Sequence, residues 1–292
     1  MKETQSDTNS CKISYQNATG PIEFPLTSDI VFHYTMQKSE KALLGLVCSL
    51  KGIKQNEVKK IQVLNPISLN KLSKETILDL LLTLNNNETM NIEVQVYLDK
   101  YWKMRSILYL CRAFDCLKGG DDYSLLKPTI HYCITDQEIL PDSDEFYSQF
   151  LMLNKKNHTA YTDKFGINVL QLNHTELATE KDISNNLLYW AKLFKAKTWE
   201  EFKALAKDNP VIEEVGNMIF ELNTDEETKY MLEGQRRYKE MIASQYAAGY
   251  SDAEDKLNPI IEAQKEELEK VKEDIAKKDL ELQKYIDKFG KL

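Results

Sequence analysis

Histidine is scarce in this chain, and its four copies (His33, His131, His158 and His174) are too scattered to form an H-x3-H metal pair. The five cysteines at 11, 48, 111, 116 and 133 are odd in number and show no metal-type spacing. Cys111-x4-Cys116 falls within a helical pattern and reads as two packing thiols, in keeping with a reducing cytoplasm. No apolar run approaches a membrane span and the first twenty residues lack a signal-peptide core, so a cytoplasmic protein without membrane contact is expected. Gly119-Gly120 lacks the spacing and the Lys-Ser/Thr of a phosphate loop. No G-x-S-x-G nucleophile element is found, nor any zinc-finger or homeodomain motif. A net charge of −8 excludes a surface broadly coated in basic residues for nucleic acid. Basic charge is nevertheless concentrated locally: Lys100, Lys103, Arg105, Arg112 and Lys118 stand against Asp115 alone. That stretch is either a solvated helix side or a phosphate-contacting face.

What the chain does have is a hairpin carrying opposed acids. Asn85-Asn86-Asn87 separates two apolar, alternating runs within residues 75–98 and signals a turn. With Asn86 as midpoint, residues whose numbers sum to 172 pair, which sets Asp79 opposite Glu93. Directly opposed residues have Cβ atoms about 5 Å apart, and two like charges there are destabilising. Such a pair needs a shared proton or a divalent cation. Alternation puts Gln95 on the face of Glu93, with Ile92, Val94 and Val96 turned away. Asp79 and Glu93 could therefore hold Mg²⁺, with the Val94 backbone carbonyl within reach and Gln95 orienting a water. The competing reading is that these residues are simply the wet face of a hairpin.

Around this hairpin the pattern is mixed. A helical region runs from Leu26 to about Leu50 with Ser28 or Asp29 as caps, and Ile61-Gln-Val-Leu-Asn-Pro66 reads as a short strand. A helix over 99–118 has Ile107, Leu108, Leu110, Cys111 and Phe114 as its apolar side. Thr129–Thr135, Phe146–Leu153 and Val169–Leu172 are strand candidates, and His131 among them reads as a core residue. From Asp182 the pattern is helical, with capping boxes at Thr198–Glu201 and Thr224–Glu227. The expected fold class is α/β with a mixed sheet. The expected divisions are a disordered tail (1–20), a core (21–180), a helical region (181–250) and a coiled-coil helix (251–292). In the last, Ile261, Leu268, Ile275, Leu282 and Phe289 recur every seven residues, with Leu257, Gln264, Val271, Lys278 and Tyr285 in the alternate slot. A homodimer or higher homo-oligomer through this helix is expected; a lone charged helix is the alternative.

Ser28-Asp29-Ile-Val-Phe32, Ile61-Gln-Val-Leu-Asn-Pro66, Leu78-Asp79, Asn91-Ile-Glu-Val-Gln95, Arg105-x3-Tyr109 and Gly119-Gly-x2-Tyr-Ser-x-Leu-x-Pro128-x-Ile130 follow one another in that order. This series resembles the Rpn family of recombination-promoting nucleases, also classed as transposases, within the PD-(D/E)XK superfamily. The resemblance covers about residues 25–178, and the charged helical extension is similar too. It implies a restriction-endonuclease-like mixed sheet flanked by helices and Mg²⁺-dependent cleavage of DNA, with Mn²⁺ expected to substitute. Asp79, Glu93 and Gln95 match the family's catalytic residues, Gln95 standing where the superfamily usually has Lys, and Asp29 matches an acid that supports the site. Lys103, Arg105 and Arg112 are expected to contact phosphate. His33 departs from the family's usual Lys, which bears on activity. Two readings compete with the nuclease: a catalytically silent DNA-binding relative, and an oligomerisation scaffold. Whether the biological role is recombination, mobility or phage defence is left open.

Overall fold

The computed structural model describes residues 14–67, 79–97, 100–141 and 143–290. Residues 1–13 of the expected tail, and 75–78 and 98 of the expected hairpin, lie outside it. Six strands, β1 (Ile61–Val63), β2 (Leu80–Leu84), β3 (Glu88–Gln95), β4 (Thr129–Thr135), β5 (Tyr147–Leu153) and β6 (Ala160–Gln171), form one sheet in the order β1-β2-β3-β4-β6-β5. The pairs β3–β4 and β4–β6 are parallel and the others antiparallel, so the sheet is mixed.

The hairpin forms in the register its sequence predicts. Leu80 pairs with Ile92, Leu81 with Asn91 and Leu82 with Met90, each pair summing to 172. Its turn is made possible by Asn85 and Asn86, which adopt φ of 53° and 61°, a left-handed conformation that Asn tolerates better than most side chains. Asn85 also accepts hydrogen bonds from the Lys59 and Lys60 amides, tying the turn to the approach of β1. Register is enforced by burial. Leu80, Leu82, Leu84, Met90, Ile92 and Val94 all face one core, and a slip of one residue would turn them to the opposite, polar face. At about 1.5–3 kcal/mol per buried side chain, no turn preference could offset that loss.

The apolar face of the sheet is covered by α1 (Asp29–Lys38), α2 (Glu40–Lys51), α5 (Leu187–Lys195), α6 (Trp199–Ala206) and α7 (Pro210–Thr224), with the short α4 (Glu180–Ser184) leading into α5. The expected single helix from Leu26 to Leu50 is two helices, divided at Ser39, which ends α1 and caps α2 by accepting from the Ala42 amide. Tyr15, assigned by sequence to a polar tail, is instead buried against Trp199 and Phe202. Thr198 and Glu201 form the expected capping box of α6. Thr224 does not cap: its hydroxyl bonds back to the Phe220 carbonyl inside α7, and Asp225 accepts from the Thr228 amide instead. Both residues fit the same local pattern, and Asp225 is the one outside the preceding helix.

The opposite face carries α3 (Trp102–Phe114), which crosses from β3 to β4 over a smaller cluster of Trp102, Cys133, Ile139, Leu140 and Val169. The helix faces the sheet through Trp102, Ser106 and Leu110, with Arg105 and Tyr109 half-buried between them. Ile107, Leu108 and Cys111, expected on the apolar side, are exposed. Cys116 is also exposed, so Cys111 and Cys116 are not packing thiols; Cys48 and Cys133 are buried.

From Gly234 the chain forms a second unit, continuing α8 (Glu226–Phe289) with Pro259 inside it. Its heptad residues, among them Leu257, Ile261, Leu268, Val271, Ile275 and Leu282, are exposed on the single chain. Among the described residues no helix is long and apolar enough to cross a membrane.

Candidate active site

Between α3 and the sheet lies a row of buried polar side chains. Thr89, Asn91, Glu93 and Gln95 of β3 alternate along one face, and the parallel register sets Thr129, His131, Cys133 and Thr135 of β4 beside them. Asp79 sits one residue before β2, at the position the hairpin register places opposite Glu93. Its backbone is pinned by Asn65, whose amide donates to the Asp79 carbonyl (2.7 Å) and accepts from the Leu81 amide (2.9 Å). The Asn of the Ile61–Pro66 motif thus fixes where the first carboxylate leaves the strand.

The acids influence one another's ionisation. Burial, together with the Glu93 and Asp29 carboxylates nearby, pushes Asp79 up to about 7, against the opposing pull of an Asn91 hydrogen bond and the Arg105 guanidinium. For Glu93 burial also works upward, but the His131 contact and Arg105 outweigh it and hold the carboxyl below its usual range. Two acids in one pocket whose proton affinities are driven apart fit a pair that cannot both ionise cheaply. Asp29 arrives as the first residue of α1, directly after the N-cap Ser28, where the helix dipole favours a carboxylate.

Arg105 is the largest departure from the sequence reading. Rather than reaching for phosphate, its guanidinium turns inward, donating to Glu93 Oε1 at 2.6 Å and to the Gln95 side-chain oxygen. The physical reason is the charge already buried there: Glu93 is 5% exposed and needs a cation or donors. Tyr109, one turn on, lies beneath the guanidinium at 5.8 Å and edge-on to His131 at 6.4 Å. Gln95 also donates to the Tyr97 carbonyl, so its amide is held at both ends. Val94 lies between the two site residues with its side chain on the apolar face. Lys103 and Arg112 are exposed. At about 100° per residue Lys103 lies roughly 200° around α3 from Arg105, so the three cations do not share one side. His33 is fully buried within α1, so the residue at this position acts inside the fold.

His131 and Asn91 are the site residues that sequence reasoning passed over. In the sequence Asn91 opens the Asn91–Gln95 motif with no role assigned to it, and His131 reads as a core residue. The alternation of Asn91 with Glu93 was visible; the parallel pairing of Asn91 with His131 was not.

A family model described as PD-(D/E)XK nuclease family transposase matches residues 27–247. The chain belongs to this family. No curated protein and no solved structure gives a significant match. The family match extends beyond the motifs, through α7 and into α8, so the helical region is part of the family's chain and not an addition to it. For a PD-(D/E)XK nuclease family transposase the kind of function is that of a nuclease or transposase acting on DNA, and such nucleases generally use divalent metals.

Proposed function

We propose that the chain is a Mg²⁺-dependent DNA endonuclease of the recombination-promoting type, with Asp79 and Glu93 as the metal-holding pair, the Val94 carbonyl as a further ligand and Mn²⁺ able to substitute. The observation that carries this reading is the hairpin register, which sets Asp79 opposite Glu93, with Asp79 raised to about 7 chiefly by burial and then by the Glu93 and Asp29 carboxylates. The donor set fits the group: carboxylate oxygens suit a hard cation, and Glu93 Oε2 is buried with His131 Nε2 beside it only at 3.4 Å. A divalent cation held there would neutralise charge at the phosphate and acidify a water. The chain's own residues do the rest. Asp79, ionised, supplies charge for the cation. Gln95, whose amide is fixed by Arg105 and the Tyr97 carbonyl, positions the attacking water without taking its proton, since an amide is not a base at neutral pH. Attack of the water forms one P–O bond and breaks another; the water's proton passes to solvent and the leaving oxygen takes one from solvent. Lys103 and Arg112, both exposed on α3 but about 180° apart around it, are each assigned to phosphate contact on separate sides of the helix, a contact independent of sequence.

One observation favours a catalytically silent DNA-binding relative: Arg105 already provides Glu93 with a cation. Plasmid nicking separates the two. The nuclease reading expects nicking with Mg²⁺ or Mn²⁺ and none with EDTA; binding without nicking in either metal sinks it. Gln95→Ala is expected to slow nicking about 10–100-fold, well short of abolition, because it removes positioning and no charge.

The exposed heptad residues of α8 support self-association through this helix. Glu267 and Lys272 would pair across a parallel seam, an exposed contact contributing about 0.5 kcal/mol, while Lys278 within the seam opposes it. Light scattering is expected to give a dimer or larger mass for the full chain and a monomer for a chain ending at Ser251. Equal monomeric masses would refute the assignment.

A further inference from the structure

His131 is buried with 0% exposure, one strand away from Glu93 on the same face of the sheet. Its Nε2 lies 3.4 Å from Glu93 Oε2, long for a hydrogen bond, and both atoms are buried with no other partner. Its Nδ1 lies 3.0 Å from Asn91 Nδ2. With the Asn91 amide nitrogen as donor, Nδ1 accepts, which in the neutral ring leaves the proton on Nε2, facing Glu93. The same Asn91 side chain hydrogen-bonds Asp79. Two side chains thus connect the two carboxylates in sequence: Asp79, Asn91, His131, Glu93. Arg105 meanwhile occupies the other Glu93 oxygen, Oε1.

We propose that His131 is a positioning residue for Glu93: oriented by Asn91, it directs an Nε2–H at Oε2 and fixes the carboxylate's rotation for a divalent cation. The proposal rests on the metal reading of the site. Buried His rings usually find a partner and would pack here in either tautomer if their role were only to fill space. The chain spends a buried Asn on selecting one, and that Asn also touches the second carboxylate. Groups that orient metal-binding side chains in this way are worth about 10–100-fold in metal affinity.

The test is Mn²⁺ binding to the full chain without DNA, followed by calorimetry, on wild type, His131→Leu and His131→Gln. Leu fills the space without a donor; Gln returns a donor near the position of Nε2. His131→Leu is expected to bind Mn²⁺ about 10-fold more weakly, and His131→Gln within about threefold of wild type. Equal affinity in a folded His131→Leu overturns the positioning role while leaving the metal reading intact. Absence of Mn²⁺ binding by wild type overturns the metal reading and the positioning role with it. A second measurement needs no variant: nitrogen-15 correlation spectra of the wild-type histidines are expected to show His131 protonated on Nε2 alone. A proton on Nδ1 overturns the proposal.

Discussion

Glu93→Gln is expected to reduce Mg²⁺-dependent nicking by about 10³-fold or more while leaving the protein folded. Charge stabilisation by a bound cation is worth several kcal/mol of barrier, and each 1.36 kcal/mol is tenfold in rate. The choice of Gln over Ala follows from Arg105. That guanidinium is 29% exposed on its side chain and is held by Glu93 Oε1 and the Gln95 oxygen. Truncation to Ala strands a half-buried cation, and breaking a buried pair from one side costs about 3–5 kcal/mol, discounted here for partial exposure. Loss of activity would then be confounded with loss of fold. Gln keeps an oxygen for Arg105 and removes only the charge. Circular dichroism and thermal melting should be near wild type. Activity within tenfold of wild type in Glu93→Gln would remove Glu93 from the catalytic machinery.

The hairpin shows how far sequence carries here. Its register followed from an Asn-rich turn and strict alternation, two local signals that agree with burial of Leu80, Leu82, Met90 and Ile92. The opposition of Asp79 and Glu93 followed from the same register, and the mixed sheet from the order of strands and helices along the chain. The face of α3 did not. Ile107, Leu108 and Cys111 make an apolar stripe that ordinarily marks the inward side. But α3 covers the half of the sheet that carries Asn91, Glu93, Gln95 and His131, and a helix over buried charge must offer donors. Arg105, Ser106 and Tyr109 therefore turn in, and the stripe turns out. The usual rule fails because the surface beneath the helix is polar, and it is polar because it is the site. His131 was illegible for a related reason. Its neighbour Asn91 lies forty residues earlier, joined only by the parallel crossover through α3, and no local pattern encodes that pairing.

Asp79 leads to the second large effect, on stability. Its carboxyl is raised from about 3.8 in the unfolded chain to about 7 in the folded protein, chiefly by burial and then by Glu93 and Asp29. A raised acid holds its proton in the folded state over a range where the unfolded chain has lost it. Its stabilising contribution is complete below about 4 and is lost as pH rises through about 7. Metal-free protein should therefore be less stable at pH 8 than at pH 5 by on the order of 2–4 kcal/mol from this group, at 1.36 kcal/mol per unit. Asp79→Asn removes the ionisation while keeping the shape. It is expected to melt roughly 5 °C or more above wild type at pH 8 without metal, to show a flatter dependence on pH, and to nick no DNA. Mg²⁺ should raise the wild-type melting temperature most at alkaline pH, where Asp79 is ionised, and should leave Asp79→Asn nearly unmoved. Nicking by wild type should rise with pH through about 7, since the ionised form is the one that can hold a cation. The comparison of the two chains isolates Asp79 from every other titrating group. If both melt with the same dependence on pH, the two carboxylates do not compete for charge in one pocket, and the account of the site given by its acids fails. If Asp79→Asn is the more stable chain and the inactive one, the fold is carrying a charge that destabilises it, and the cation is what that charge is for.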